Sequence, residues 1–91
     1  MNTQTLKEKI EETYGSLNDV CGCYAGKGEW LSVNAIVNLI DQCDTDGELD
    51  ADELKDKIEA EYGDLDDEGG CYVHNEWLSV KDIVDLIDDC D

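Results

Sequence analysis

The chain has no arginine, no phenylalanine and no proline, a single histidine, and only six lysines against 25 carboxylates. So few cations argue against direct binding of DNA or RNA, which requires positive groups to displace the counterions condensed on phosphates. The same shortage disfavours an anionic membrane surface. One histidine, no glycine-rich phosphate loop and no nucleophile–base pair leave catalysis without its usual groups, so the chain reads as a non-enzyme. Cys71 and His74 could be imagined as a thiolate–imidazole pair, but nothing supplies the third group that would orient them. Two small packed repeats offer poor prospects for a cleft, and Trp30 and Trp77 are expected in hairpin core rather than as platforms for a substrate. No apolar signal-like segment opens the chain, and no run is long enough to cross a bilayer. The expected location is a reducing cytoplasm, where five cysteines stay as thiols or metal ligands.

What remains is acid and a moderate apolar fraction. At 91 residues with 41% apolar side chains, the chain suits one domain, residues 1–91, near the size where a hydrophobic core alone only just suffices. Its formal charge is −19. A field of that sign attracts basic surfaces, including the clefts that nucleic-acid enzymes present to phosphate.

The chain is organised around one stretch, Gly22-Cys23-Tyr24-Ala25-Gly26-Lys27-Gly28-Glu29-Trp30-Leu31-Ser32-Val33, which returns as Gly70-Cys71-Tyr72-Val73-His74-Asn75-Glu76-Trp77-Leu78-Ser79-Val80. Each copy reads as a short β-hairpin, turning at Gly-Lys-Gly in the first and His-Asn in the second. The duplication is wider than the hairpin. Residues 6–44 and 54–91 align with one gap and 24 identities, joined by an acidic linker at 45–53. A unit of roughly 40 residues cannot bury its own apolar face, so the copies are expected to pack on each other about a pseudo-two-fold axis. The fold class is therefore α+β, a tandem helix–β-hairpin–helix.

Helix one is expected after Asn2, with Leu6, Ile10, Tyr14 and Leu17 on one stripe and Gly15 as a left-handed C-cap. The later helix starts at Ser32, an N-cap, and carries Val33, Ile36, Val37, Ile40 and Cys43 on one face. In the second copy Ser79-Val80-Lys81-Asp82 approximates a capping box. Cys43 and Cys90 fall on the apolar stripes and are read as small buried hydrophobes.

The joint resembles an EF-hand calcium loop: with Gly47 as the sixth position, Asp44, Asp46, Leu49 and Glu53 stand third, fifth, eighth and twelfth. The first position is Gln42, where that family has Asp, and no partner hand follows. Calcium is thus not the expected cofactor, and the joint reads as an acidic linker opening the next helix at Asp50. A metal-responsive, EF-hand-like calcium-binding module remains the alternative function.

Differences between the copies have a direction. Thr13, Ser16, Asn18, Val20, Ala35, Asn38 and Gln42 face Glu61, Asp64, Asp66, Glu68, Asp82, Asp85 and Asp89, while Glu12 faces Ala60 and Asn34 faces Lys81. The first copy carries −4, the second −10 and the linker −5. Solubility would not need such a bias, and salt adaptation would spread acids over both halves. A partner-facing acidic surface accounts for it, because closely spaced carboxylates can stand in for a line of phosphates.

Ligand types also differ. Cys23 and Cys71 are equivalent, the first copy adds Cys21, and the second adds His74. Brought together, Cys21, Cys23, Cys71 and His74 make three thiolates and one imidazole, a closed tetrahedral set for a structural zinc. The rival reading has Cys23 and Cys71 in the core, Cys21 as a loop thiol and His74 as a turn residue.

In size, charge and lack of catalytic apparatus the chain resembles the small acidic phage inhibitors that occupy nucleic-acid-binding clefts, the anti-CRISPR and antirestriction proteins. The resemblance is one of class and covers the whole chain. It implies a DNA-mimicking inhibitor acting in the host cytoplasm, with the basic groove of a CRISPR effector nuclease as partner and DNA or guide RNA kept from loading. The implied contact surface comprises Asp46, Glu48, Asp50, Asp52, Glu61, Asp64, Asp66, Asp67, Glu68, Asp82, Asp85 and Asp89.

Overall fold

A computed structural model describes residues 1–91. Eight elements follow in the order α1 (Thr3–Tyr14), β1 (Gly22–Ala25), β2 (Glu29–Ser32), α2 (Val33–Cys43), α3 (Ala51–Tyr62), β3 (Gly70–Val73), β4 (Glu76–Ser79) and α4 (Val80–Cys90). The protein is α+β, with four helices and two small antiparallel hairpins.

Each helix begins where its side chains supply an acceptor for free amides. Asn2 accepts from the Thr5 N–H at 3.1 Å, Ser32 from Ala35 and Ser79 from Asp82 at 3.1 Å each, and Asp50 from Asp52 at 2.9 Å. The ends of α1 and α3 differ in detail from the expected cap. Gly15 and Gly63 have positive φ (96° and 97°), but ψ of −135° and −124° lies outside the left-handed helical region. Each glycine N–H closes a last bond at 2.8 Å, to Glu11 and Glu59 respectively, and the chain then swings away from the axis.

The hairpins share one register. Cys23 faces Leu31 and Tyr24 faces Trp30; Cys71 faces Leu78 and Tyr72 faces Trp77. His74 and Asn75, with φ of 51° and 70°, form the two-residue turn whose twist suits a tight hairpin. The other turn has three residues, and its Gly26 passes so close to α3 that a Cβ there would stand 1.7 Å from the Tyr62 carbonyl oxygen.

One cluster of 21 buried side chains runs through both halves. Leu6, Ile10 and Tyr14 of α1, with Leu54, Ile58 and Tyr62 of α3, meet Val33, Ile36, Ile40, Val80, Ile83 and Ile87 of α2 and α4. Each such Leu or Ile contributes roughly 1.5–3 kcal/mol by leaving water. The contacts cross between halves: α1 lies on α4, α2 on α3 and β1 on β3. The Tyr14 hydroxyl donates to the Trp77 carbonyl at 2.8 Å, and the Tyr62 hydroxyl to the Trp30 carbonyl at 2.7 Å. Neither half supplies a closed core by itself.

The joint is tied to the N-terminus. Asp46 and Gly47, with φ of 52° and 86°, make a tight turn in which Thr45 and Glu48 exchange backbone bonds at 2.9 and 3.0 Å. The N-terminal ammonium donates to the Leu49 carbonyl at 3.0 Å, and the Leu49 N–H returns a bond to the Met1 carbonyl at 2.8 Å.

Candidate functional site

The outer side of α4 carries exposed Asp85 and Asp89 and half-buried Asp82, because Val80, Ile83 and Ile87 turn inward and the helical period leaves the aspartates on the other side. At the start of the helix, the Lys81 N–H donates to the Asp67 carbonyl at 3.1 Å, which seats the loop after α3 on the first turn. Lys81 pairs with Asp85 at 3.3 Å, and its ammonium is held above its ordinary pKa by Asp85 first, with Glu68 and Asp66 adding smaller effects.

At the far end of α4, Asp88 pairs with Lys55 and Asp91 joins Glu48, Asp50 and Glu53 around an open hollow of about 490 Å³. Carboxylates thus continue from Asp66 and Glu68, along Asp85 and Asp89, to Asp91 and the joint. The 11 residues of α4 span about 16 Å of that line.

The expected contact residues are not all of one kind. Asp64 accepts from the Asp66 N–H at 2.8 Å and Asp67 from the Gly69 N–H at 2.9 Å, so both shape the loop as well as charge it. Their counterparts do the same: Ser16 accepts from Asn18 at 3.2 Å and Asp19 from Cys21 at 2.9 Å. The acid at position 64 keeps a hydrogen bond the first copy already had. Asp50 caps α3, Asp46 forms the joint turn, and Asp52 lies near Lys55. Glu61 stands apart, in a cleft with Glu29, Trp30 and Tyr62.

That cleft has a twin. One, of about 300 Å³, is lined by Thr13, Tyr14, Glu76, Trp77, Asp82 and Asp85; the other, of about 220 Å³, by Glu29, Trp30, Ala35, Asn38, Glu61 and Tyr62. Each lies between a helix of one half and a hairpin of the other. Burial raises the Tyr14 hydroxyl above its ordinary range, and Asp82 and then Glu76 raise it further. Burial pushes Tyr62 up to about 12, with Glu61 and Glu29 contributing less.

Trp30 and Trp77 do not enter the hairpin core as the sequence suggested. They are 41% and 38% exposed, beside Tyr24 and Tyr72 at 73% each. Strand alternation explains it: burying Leu31 and Leu78 turns their neighbours Trp30 and Trp77 outward. Each indole meets its tyrosine edge-on, at 5.1 and 5.0 Å, and donates its N–H to Val20 or Glu68. The clefts lie outside the reach of local pattern because they form only where the halves meet.

The four candidate zinc ligands form two pairs. Cys23 and Cys71 sit on the neighbouring strands β1 and β3, and the Cys71 thiol is raised by burial first and then by Cys23. Cys21 and His74 meet at Asp19 instead: Asp19 accepts from the Cys21 N–H and lies 2.6 Å from His74 Nε2. No three thiol, imidazole or carboxylate groups are gathered as a metal-holding cluster. In the EF-hand-like segment, Asp44 accepts from the Thr3 hydroxyl at 2.5 Å and the Gly47 N–H at 3.1 Å, and Asp50 serves as the cap of α3. Cys43 is buried on α2 and Cys90 half-buried on α4, and burial raises both thiols. Against family models, curated proteins and solved structures, the chain finds no match.

Proposed function

We propose that the protein is an acidic inhibitor that occupies a basic nucleic-acid-binding cleft of a DNA-processing enzyme, a CRISPR effector nuclease foremost, and keeps DNA or guide RNA from loading. The observation that carries this reading is the line of carboxylates along α4 and its two ends. DNA presents about one charge per 1.7 Å of axis, and a helix edge with acids at successive turns offers a sparser but rigid substitute. In this reading the chain is a non-enzyme that acts in the host cytoplasm. Its frame is a duplicated unit with halves related by a pseudo-two-fold axis, supported by the reciprocal Tyr14–Trp77 and Tyr62–Trp30 bonds.

The mechanism is competition. The long-range field raises the encounter rate with a basic groove by about 10- to 1,000-fold at low salt. Carboxylates paired with lysine and arginine side chains of the groove then slow departure. Exposed Asp66, Glu68 and Asp89 suit a test because their carboxylates make no hydrogen bond or ion pair within the chain. The triple change Asp66→Lys, Glu68→Lys, Asp89→Lys is expected to lower inhibition of a sensitive nuclease at least about tenfold while the thermal unfolding midpoint holds. Full inhibition by the folded triple variant would remove this face from the interface. Binding is also expected to weaken with added salt.

A further inference from the structure

Cys23 and Cys71 hold the second position of β1 and β3. Their cross-strand partners Leu31 and Leu78 are fully buried, whereas the next pairs, Tyr24–Trp30 and Tyr72–Trp77, face outward. Alternation along the strands therefore turns both cysteines toward the other half. β1 and β3 belong to different sheets with no ladder between them, yet their Cα atoms approach within 8 Å. Both thiols are free and half-buried. The other three cysteines stand elsewhere, Cys43 on α2, Cys90 on α4 and Cys21 in the loop beside Asp19.

We infer that Cys23 and Cys71 form a reversible disulfide that staples the two halves through their hairpins, closed by a small-molecule disulfide of the glutathione class. In the first step the thiolate of one cysteine attacks a sulfur of the oxidant, expels one small thiolate and becomes a mixed disulfide. In the second, the other cysteine's thiolate attacks the protein sulfur of that mixed disulfide, forms the Cys23–Cys71 bond and releases the second small thiol. Two protein thiols lose two protons and two electrons, and one oxidant disulfide becomes two thiols. The bond closes a loop of about half the chain, a length at which a cross-link strongly restricts the unfolded ensemble. It also holds together two hairpins that share no backbone hydrogen bonds. The inference does not depend on the inhibitor reading.

The test uses the full reduced chain, incubated with oxidised glutathione and then alkylated, digested and mapped by mass spectrometry. The reaction is run in mildly alkaline buffer, at about pH 8.5, to raise the thiolate fraction. The expected product links Cys23 to Cys71, leaves Cys43 and Cys90 as thiols, and is reversed by dithiothreitol. The linked form is expected to unfold at higher denaturant concentration than the reduced form. The Cys21→Ser variant is expected to form the same link, and Cys71→Ser, checked as folded by circular dichroism, to form none. A Cys21–Cys23 link as the main product would overturn the inference. So would a Cys23–Cys71 pair that ends only as separate glutathione adducts. A pair that resists oxidation until a chelator strips stoichiometric zinc would assign these thiols to metal and equally overturn it.

Discussion

The two junctions between the halves carry the same tyrosine-to-carbonyl bond and different locks around it. At one, the Tyr14 hydroxyl reaches the Trp77 carbonyl, and His74 lies over Gly15 with its ring against Asp19. At the other, the Tyr62 hydroxyl reaches the Trp30 carbonyl, Gly26 presses on the Tyr62 carbonyl, and the Lys27 ammonium donates to the Ala60 carbonyl at 3.4 Å. The tyrosine bonds are what both copies need in order to share a core. The hairpin turns differ in length and have found different partners on the opposing helix. The two copies share the contacts that close the core and differ at the rim, where the later copy carries more acids.

The largest difference between the junctions is expected at Gly26. Gly26→Ala places a Cβ against backbone that cannot retreat, and also strains a φ of 55°, so a loss of about 3 kcal/mol or more is expected in urea unfolding. Gly28→Ala, with open space around it, is expected to lose only about 1 kcal/mol from its positive φ. Equal losses at the two positions would mean that the hairpin does not press on α3.

The tyrosines test the shared part. Tyr14→Phe and Tyr62→Phe each leave a tryptophan carbonyl short of its donor, and each is expected to destabilise by about 1–2 kcal/mol. Similar values, additive in the double variant, sharpen the comparison. A loss confined to one of them would show that the junctions are energetically unequal.

The smallest effect belongs to the lock present at only one junction. Asp19 is held below the usual carboxylate range, first by the Cys21 N–H and then by His74. A lowered folded-state pKa means that its contribution is present above the unfolded value near 3.8 and is lost as pH falls through the lower folded value. The difference in melting temperature between the native chain and Asp19→Asn is therefore expected at neutral pH and should close in acid below that range. A difference that persists unchanged in acid would point to loop geometry rather than charge.

Much of the frame was legible beforehand because local signals agreed. The caps at Asn2, Ser32, Asp50 and Ser79, the stripe Leu6-Ile10-Tyr14 and both hairpin turns depend on neighbours in sequence, and all appear where expected. The tryptophans were misplaced because hydrophobicity was weighed above alternation. Asp19 accepts from the Cys21 N–H within its own loop and meets His74 across the junction, and nothing in local pattern marks an acid for that position. Asp64 looked like added charge, while its bond to the loop amide makes it a replacement for Ser16.

By itself, the sequence determined the repeated segments, their helices and hairpins, the shortage of cationic groups and the excess of acid in the later copy. These follow from composition and from periods of two and 3.6 residues, which need no knowledge of distant contacts. Only the tertiary structure decided that each tyrosine bonds to the opposite hairpin, that the strands of Cys23 and Cys71 neighbour each other, and that α4 carries acids between the loop and the joint. Those outcomes depend on how two incomplete apolar faces dock. Docking fixes which side chains on the rim become neighbours, and that relation is not written in either face alone.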